Sequence, residues 1–162
     1  MKIIEGLRKI KQLDRKIKKN ILRITDWSSY LDNIDQAEKP LYGKEELRVM
    51  IQQIGDWSKE KARIRHNIHI TNALKKVIFK GTEITVDELL LLQSTTIPDM
   101  LAAHKALNRK DKGRFGVQDV KTVVRLQYDP KEKEVVVDSL LNDLEIIGDI
   151  LDRVTLETDI IE

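Results

Sequence analysis

The sequence predicts a mainly α protein, namely an elongated, coiled-coil-like bundle of four helices with a small β-hairpin. Apolar residues recur at alternating three- and four-residue steps over long segments, which is typical of helices that bury one narrow stripe. Of the 162 residues, 41% are hydrophobic and 35% are charged, as in a soluble chain with a core. Only 4% are aromatic and seven are glycine, which argues against a sandwich, a barrel or a glycine-looped α/β fold. We expect one domain spanning residues 1–162.

The first helix is predicted over residues 3–24. Its apolar stripe is interrupted at Asp14 and consists of Ile3, Leu7, Ile10, Ile17, Ile21 and Ile24. The remaining faces are crowded with Lys and Arg, so only this stripe is available for burial. Pro40 and Gly43 indicate that residues 26–43 form a connecting loop.

The second helix is predicted over residues 44–79 and is the longest. Its apolar stripe extends to Ile78. Lys61, Thr71 and Lys75 fall on that stripe, and Gly81 is a plausible stop signal. Stripes this narrow are only part-buried in a thin monomer, which favours a homo-oligomer. Polar residues at seam positions would then fix the register of the packed helices.

The third helix begins at a capping box formed by Thr85 and Glu88 and extends to about Leu107, with a kink or break at Pro98. The β-hairpin is predicted at about residues 117–137, because Val117–Tyr128 alternates and Val135–Val137 is β-branched. Asp138 is the predicted N-cap of the final helix.

Charge is distributed in blocks along a chain whose formal net charge is +2. Residues 1–25 hold nine basic and two acidic residues, whereas residues 138–162 hold eight acidic residues and one basic residue. Such blocks are typical of chains that neutralise charge internally or between subunits. A nucleic-acid partner is not expected, since the acidic end and the lack of a recognition motif count against phosphate-backbone binding.

Several classes of protein are excluded or disfavoured by what the sequence lacks. There is no Cys, which removes disulfides, thiolate nucleophiles and cysteine zinc sites. No apolar run reaches the roughly 18–20 residues of a membrane span, and the first residues lack a signal-peptide core. We therefore expect a cytoplasmic protein with no membrane partner.

Catalytic equipment is also not recognisable in the sequence. Neither the phosphate-binding loop G-x-x-x-x-G-K-[ST] nor the dinucleotide fingerprint G-x-G-x-x-G occurs. His66 and His69 are three residues apart but have no third ligand at metal-binding spacing. The expectation is a protein that is not an enzyme and uses no cofactor or metal.

The best candidate site is a basic and polar cluster on the second helix. Arg65, His69 and Asn72 are three to four residues apart and so share a face. Guanidinium groups suit phosphate, while Asn, Thr and His suit a ribose or a base edge. The candidate ligand-binding residues are Arg65, His66, His69, Thr71, Asn72, Lys75, Arg114 and Lys121. The alternative interpretation is an interhelical hydrogen-bond layer or a wet cavity.

A family resemblance accompanies these patterns. The segment Arg63-Ile-Arg-His-Asn-Ile-His-Ile-Thr71-Asn72-Ala-Leu resembles an Arg-Ile-Asn-x-Thr-Asn-Ala-x-Leu segment, and Gly81-Thr-Glu-Ile-Thr85 resembles the Gly-x-x-Leu-Thr that follows it. Both belong to the septicolysin-like family of small bacterial and phage-encoded proteins. The resemblance implies a helical bundle.

These features predict a non-enzymatic, homo-oligomeric protein that sequesters an anionic, nucleotide-like small molecule. Its concrete form is a phage anti-defence protein that captures a nucleotide-derived immune signal in the host cytoplasm. Sequestration requires affinity and electrostatic complementarity rather than stabilisation of a transition state. The alternative is a structural or protein-interaction bundle, such as a virion or scaffold component, without a small-molecule ligand.

Overall fold

The protein is described by a computed structural model that covers residues 1–29, 42–108 and 125–161. It is mainly helical, as the sequence predicts, and it has a small two-stranded antiparallel sheet at residues 76–85, a different place from the predicted hairpin. The elements in chain order are α1 (Ile3–Trp27), α2 (Lys44–Leu74), β1 (Lys76–Phe79), β2 (Thr82–Thr85), α3 (Val86–Leu91), a π-helical turn (Leu92–Thr96), α4 (Ile97–Ala106) and α5 (Pro130–Glu157).

The chain divides into two compact units. The first unit comprises Met1–Asn72 together with Val154–Glu162, and the second comprises Ala73–Arg153. The first unit is therefore discontinuous in sequence, whereas the second is a single stretch. None of the helices in the described part of the chain has the length and apolar character needed to cross a membrane.

The buried face of α1 is turned relative to the predicted stripe. Ile3 and Ile10 are buried as expected, but Leu7 is 39% exposed and Ile21 is 48% exposed. Gly6 and Asn20, which precede Leu7 and Ile21, are buried instead. The buried residues of α1 are Ile3, Gly6, Ile10, Leu13 and Asn20. The reason is a close approach at Gly6, where the side chains of Ile64, Ile68 and Ile160 occupy the space that a Cβ would need.

Polar residues join α1 to α2 along this face. Lys61 Nζ donates to Asp14 Oδ1 at 2.7 Å, and Asn20 Nδ2 donates to Gln53 Oε1 at 3.0 Å. Ile10, Leu13 and Ile64 form a small buried cluster on the same face. Two of the polar residues that interrupt the predicted stripes, Asp14 and Lys61, are thus partners of each other.

The last described residues pack on the beginning of α1 and the end of α2. Ile3 N donates to Thr158 O at 3.0 Å and Ile160 N donates to Met1 O at 2.7 Å, so an extended segment runs antiparallel to the first residues. Ile161 N donates to Thr71 Oγ1 at 3.0 Å. These bonds complete the first unit.

The predicted continuation of α2 to residue 79 is wrong, because α2 ends at Leu74 and is followed by a β-hairpin. β1 pairs with β2, with Phe79 opposite Thr82. Lys80 (φ 50°) and Gly81 (φ 80°) both have positive φ, the conformation of a two-residue type I′ turn that matches the twist of the strands. Ile78, placed on the helical stripe by the sequence, lies in β1 and is 71% exposed.

The capping box at the start of the third predicted helix is confirmed. Thr85 Oγ1 accepts a hydrogen bond from Glu88 N at 3.2 Å, and Glu88 Oε2 accepts one from Thr85 N at 2.6 Å. Before Pro98 the hydrogen-bond pattern changes to a π-helical turn that ends at Thr96, while the backbone stays helical into α4, whose first turn contains Pro98. Proline fits there because the first N–H groups of a helix need no intrahelical partner.

The prediction of a second β-strand at Val135–Val137 is wrong. α5 begins at Pro130, so Val135–Val137 is helical and Asp138 lies inside the helix. Asp129 precedes it: its Oδ1 accepts from Lys131 N at 2.8 Å, which satisfies an N–H of the first turn. Residues 117–124 of the predicted first strand lie outside the described residues.

The core of the second unit lies where α3, α4 and α5 meet the hairpin. Its buried residues are Leu89, Ile97, Leu101, Leu140 and Ile147, and Phe79 and Ile84 of the hairpin pack against them. Lys80 Nζ donates to Asp143 Oδ2 at 2.6 Å, which ties the turn of the hairpin to α5. The hairpin is held by this packing, since an isolated two-stranded hairpin is marginally stable in water.

Candidate functional site

Five of the predicted site residues lie on α2 in the first unit. Arg65, His66 and His69 are exposed, Asn72 is half-buried, and Thr71 is buried at 2% exposure. The helix is continuous through all of them. Sequence reasoning is therefore right about the element that carries these residues, while their burial differs strongly from one residue to the next.

Arg65, His69 and Asn72 share one strip of the α2 surface. Their four- and three-residue steps place them on consecutive turns, so the strip spans about 10 Å along the helix. His66 is turned by about 100° from Arg65 around the axis. A guanidinium, an imidazole and an amide in a row offer several hydrogen-bond donors to an anionic ligand with polar edges.

Thr71 has a structural role instead. Its hydroxyl donates to Asn67 O at 2.7 Å within the helix and accepts from Ile161 N at 3.0 Å. Both bonds are made within the first unit. Thr71 thus matches the alternative interpretation of the cluster, in which buried polar groups are satisfied by neighbouring elements.

The surroundings of Arg65 are electropositive and contain one paired carboxylate. The hydrogen bond from Lys61 lowers the pKa of Asp14, and the positive charges of Lys61 and Arg65 lower it further. One turn away, the hydrogen bond from Lys9 lowers the pKa of Glu60, and the two groups are 2.5 Å apart. Both carboxylates are held ionised by lysines, and Asp14 is the one on which the charge of Arg65 acts.

The three other predicted site residues follow the end of α2 in the sequence. Lys75 follows the end of α2 and belongs to the second unit, where its carbonyl oxygen accepts from Val86 N at 2.9 Å. Arg114 and Lys121 lie outside the described residues.

A second candidate is a cleft of about 390 Å³ in the second unit. Asn108, Arg125 and Tyr128 contribute a polar group, a cation and an aromatic ring to its lining. Its walls are the residues that flank segment 109–124, which the structure does not describe. We therefore base no function on it.

A metal site within residues 1–29, 42–108 and 125–161 would need clustered His, Cys, Asp or Glu side chains. No cluster of three or more His, Cys, Asp or Glu side chains suited to a metal ion occurs there. Two buried polar atoms in the described residues have no hydrogen-bond partner, namely His104 Nδ1 and Asp143 Oδ1. They are single atoms on different helices and define no recognisable reaction centre.

The chain matches no protein-family model, no curated protein and no solved structure. The resemblance to septicolysin-like proteins, which covers most of the chain and is most specific at residues 63–85, therefore remains a prediction.

Proposed function

We propose that the protein is a non-enzymatic, homo-oligomeric binding protein that sequesters an anionic, nucleotide-like small molecule. The observation that carries the proposal is the strip formed by Arg65, His69 and Asn72. These residues lie on three successive turns of α2, which is one continuous helix. Arg65 can hold a phosphate through two parallel hydrogen bonds, and Asn72 can read a ribose or base edge.

A closed site requires more than one copy of the chain under this proposal. Arg65 and His69 are exposed in the single chain, where a phosphate would stay hydrated and be bound weakly. Convergence of α2 helices in a coiled-coil-like bundle would remove water from the strip and strengthen each charged hydrogen bond. The ligand site and the oligomer are therefore two parts of one proposal.

The biological setting follows from the resemblance to septicolysin-like proteins, some of which are encoded by phages. In that setting the protein is a phage anti-defence protein that acts in the host cytoplasm. It captures a nucleotide-derived immune signal and releases it unchanged on denaturation.

The test is mass spectrometry of small molecules released by heating the purified protein, with cyclic oligonucleotides and ADP-ribose derivatives added as probes. Intact nucleotide in the released fraction is the expected result. Arg65→Glu should abolish retention and leave the oligomer intact. Arg63→Glu is the matched control, because Arg63 is an exposed cation two residues away on another side of α2. Degraded probe would indicate an enzyme.

The second candidate function is a structural or protein-interaction bundle. It is favoured by the contacts of Asp14 with Lys61, of Asn20 with Gln53 and of Thr71 with Ile161, which satisfy the seam polar groups without a ligand. Such contacts fix the register of packed helices. Retention of no nucleotide by a correctly assembled oligomer would favour this function over sequestration.

A further inference from the structure

The outward face of α1 carries a row of cations. Lys11, Arg15 and Lys18 follow each other at steps of four and three residues and are all exposed. None of the three forms a salt bridge within the described residues. Asp14, the only carboxylate between residues 8 and 19, is paired with Lys61. We call Lys11, Arg15, Lys18 and Leu22 the basic face.

The outward face of α5 carries a row of carboxylates with the same spacing. Glu145, Asp149 and Asp152 are separated by four and three residues and are exposed. Within the described residues, the carboxylate of α5 that forms a salt bridge is Asp143, and its partner is Lys80. Asp143 lies on the buried side of the helix, away from these three carboxylates. We call Glu145, Asp149, Asp152 and Leu156 the acidic face.

Each face ends, four residues further on, in an exposed leucine. Leu22 is 62% exposed and Leu156 is 55% exposed. Both faces therefore have the order charge, charge, charge, leucine at steps of four, three and four residues. Two helices lying side by side in the same direction would bring Lys11 to Glu145, Arg15 to Asp149 and Lys18 to Asp152, with the two leucines in contact.

From this match we infer that the basic face docks in parallel on the acidic face of a second copy of the chain. The inference rests on the homo-oligomer in the proposed function and names one of its contacts; it requires no ligand. A nucleic acid would also suit the three cations, but it offers no partner for Leu22 and gives no role to the acidic face. The overall charge of +2 further favours a partner with matched local charge.

The predicted interface joins two different surfaces, so after one contact one copy has an unused acidic face and the other has an unused basic face. Such heterologous contacts form closed rings if the rotation closes and open chains if it does not. The contact should weaken with salt, because exposed charges are screened over about 10 Å at 0.1 M ionic strength and over about 3 Å at 1 M.

A charge-swap experiment tests the contact on the full chain. One variant carries Lys11→Glu, Arg15→Glu and Lys18→Glu; the other carries Glu145→Lys, Asp149→Lys and Asp152→Lys. Each exposed pair is worth roughly a factor of two to five, and each swap also creates repulsion. In sedimentation velocity each variant alone should self-associate at least about tenfold more weakly than the wild type. An equimolar mixture of the two variants, and the chain with all six changes, should recover association.

The matched control is Lys44→Glu, Lys59→Glu and Arg63→Glu, which makes the same change of charge at exposed cations outside the basic face. It should associate like the wild type. The inference would be overturned if either triple variant self-associated as strongly as the wild type, or if mixing the two variants did not restore association. A wild type that stays monomeric at low salt would also overturn it. Loss of duplex DNA binding in the α1 variant, with self-association unchanged, would instead show a nucleic-acid surface. Nucleotide retention is measured in parallel, so failure of this contact and failure of ligand binding give different results.

Discussion

Replacing Gly6 by Ala should fail to give the stabilisation that this substitution normally gives inside a helix. Ala is favoured over Gly in a helix interior by about 1 kcal/mol. A Cβ at Gly6 would lie 2.6 Å from Ile160 Cδ1 and 3.3 Å from both Ile64 Cγ2 and Ile68 Cδ1. Overpacking of this kind costs about 1–3 kcal/mol. The net change for Gly6→Ala is therefore between about zero and a loss of 2 kcal/mol.

Gly55→Ala is the matched control on α2. No atom lies within 4 Å of a Cβ built at Gly55, so the helix preference should act alone and stabilise by about 1 kcal/mol. Urea unfolding followed by circular dichroism at 222 nm, at one fixed protein concentration, measures both changes. In a domain of this size, each kcal/mol also moves the thermal midpoint by about 2–4 °C.

Ile160→Val identifies the atom responsible, because valine lacks the Cδ1 that approaches Gly6 most closely. Alone, it should cost about 0.5–1.5 kcal/mol, as other buried Ile→Val changes do. Combined with Gly6→Ala it should cost less than the sum of the two single changes. The reasoning would be refuted if Gly6→Ala stabilised the protein as much as Gly55→Ala, or if the two changes were additive.

Three further predictions concern the second unit. Thr85→Ala removes the acceptor for Glu88 N and should cost about 1 kcal/mol in urea unfolding, whereas Thr85→Ser should retain most of the stability; equal stability of the two variants would contradict the cap. The hydrogen bonds from Thr85 N and Thr85 Oγ1 lower the pKa of Glu88 from its usual value in the folded state. Their stabilising contribution is therefore present above the unfolded pKa and is lost as the pH falls through the folded value. Glu88→Gln should accordingly show a smaller loss of stability on acidification below about pH 5, and an unchanged acid profile would count against this assignment. Leu89→Ala should cost about 2–5 kcal/mol because Leu89 is 0% exposed, while Leu91→Ala, at a site that is 58% exposed, should stay within about 0.5 kcal/mol. Similar losses in the two variants would place Leu91 in the core as well.

The helical character of α1 could be predicted from its sequence, but its buried face could be predicted only in part. Three- and four-residue steps fit Leu7 and Ile21 as well as Gly6 and Asn20, and apolarity favours the former pair. The outcome depends on Ile160, which is distant in sequence and needs a small residue opposite it. No local signal in α1 contains that information.

Two other errors had a usable local signal. Lys80-Gly81 lies between two alternating segments, which is a hairpin signal, but Ile78 also continues the helical stripe of α2, and that stripe is the longer of the two patterns. Asp129-Pro130 reads as a turn and equally as an N-cap followed by proline at the first helical position. The structure has the second arrangement, and β-branched Val135–Val137 follows as helix because its apolar side packs on the core of the second unit.

The candidate site was predictable to the extent that it depends on helix geometry alone. The shared face of Arg65, His69 and Asn72 follows from their spacing and needs only a continuous helix. The burial of Thr71 could not be predicted with its partner, because Ile161 is 90 residues away in sequence. Such a contact leaves no pattern in the segment that contains either residue.

The division of the first unit into two separated stretches of chain has a consequence for biosynthesis. Residues 73–153 form a compact unit from one uninterrupted stretch, which can gain its packing while the ribosome is still adding residues. Thr71 and Gly6, by contrast, contact Ile161 and Ile160, which are translated only after residues 73–153. The packing of the first unit is therefore completed later in synthesis than that of the second, although most of the residues of the first unit are made earlier.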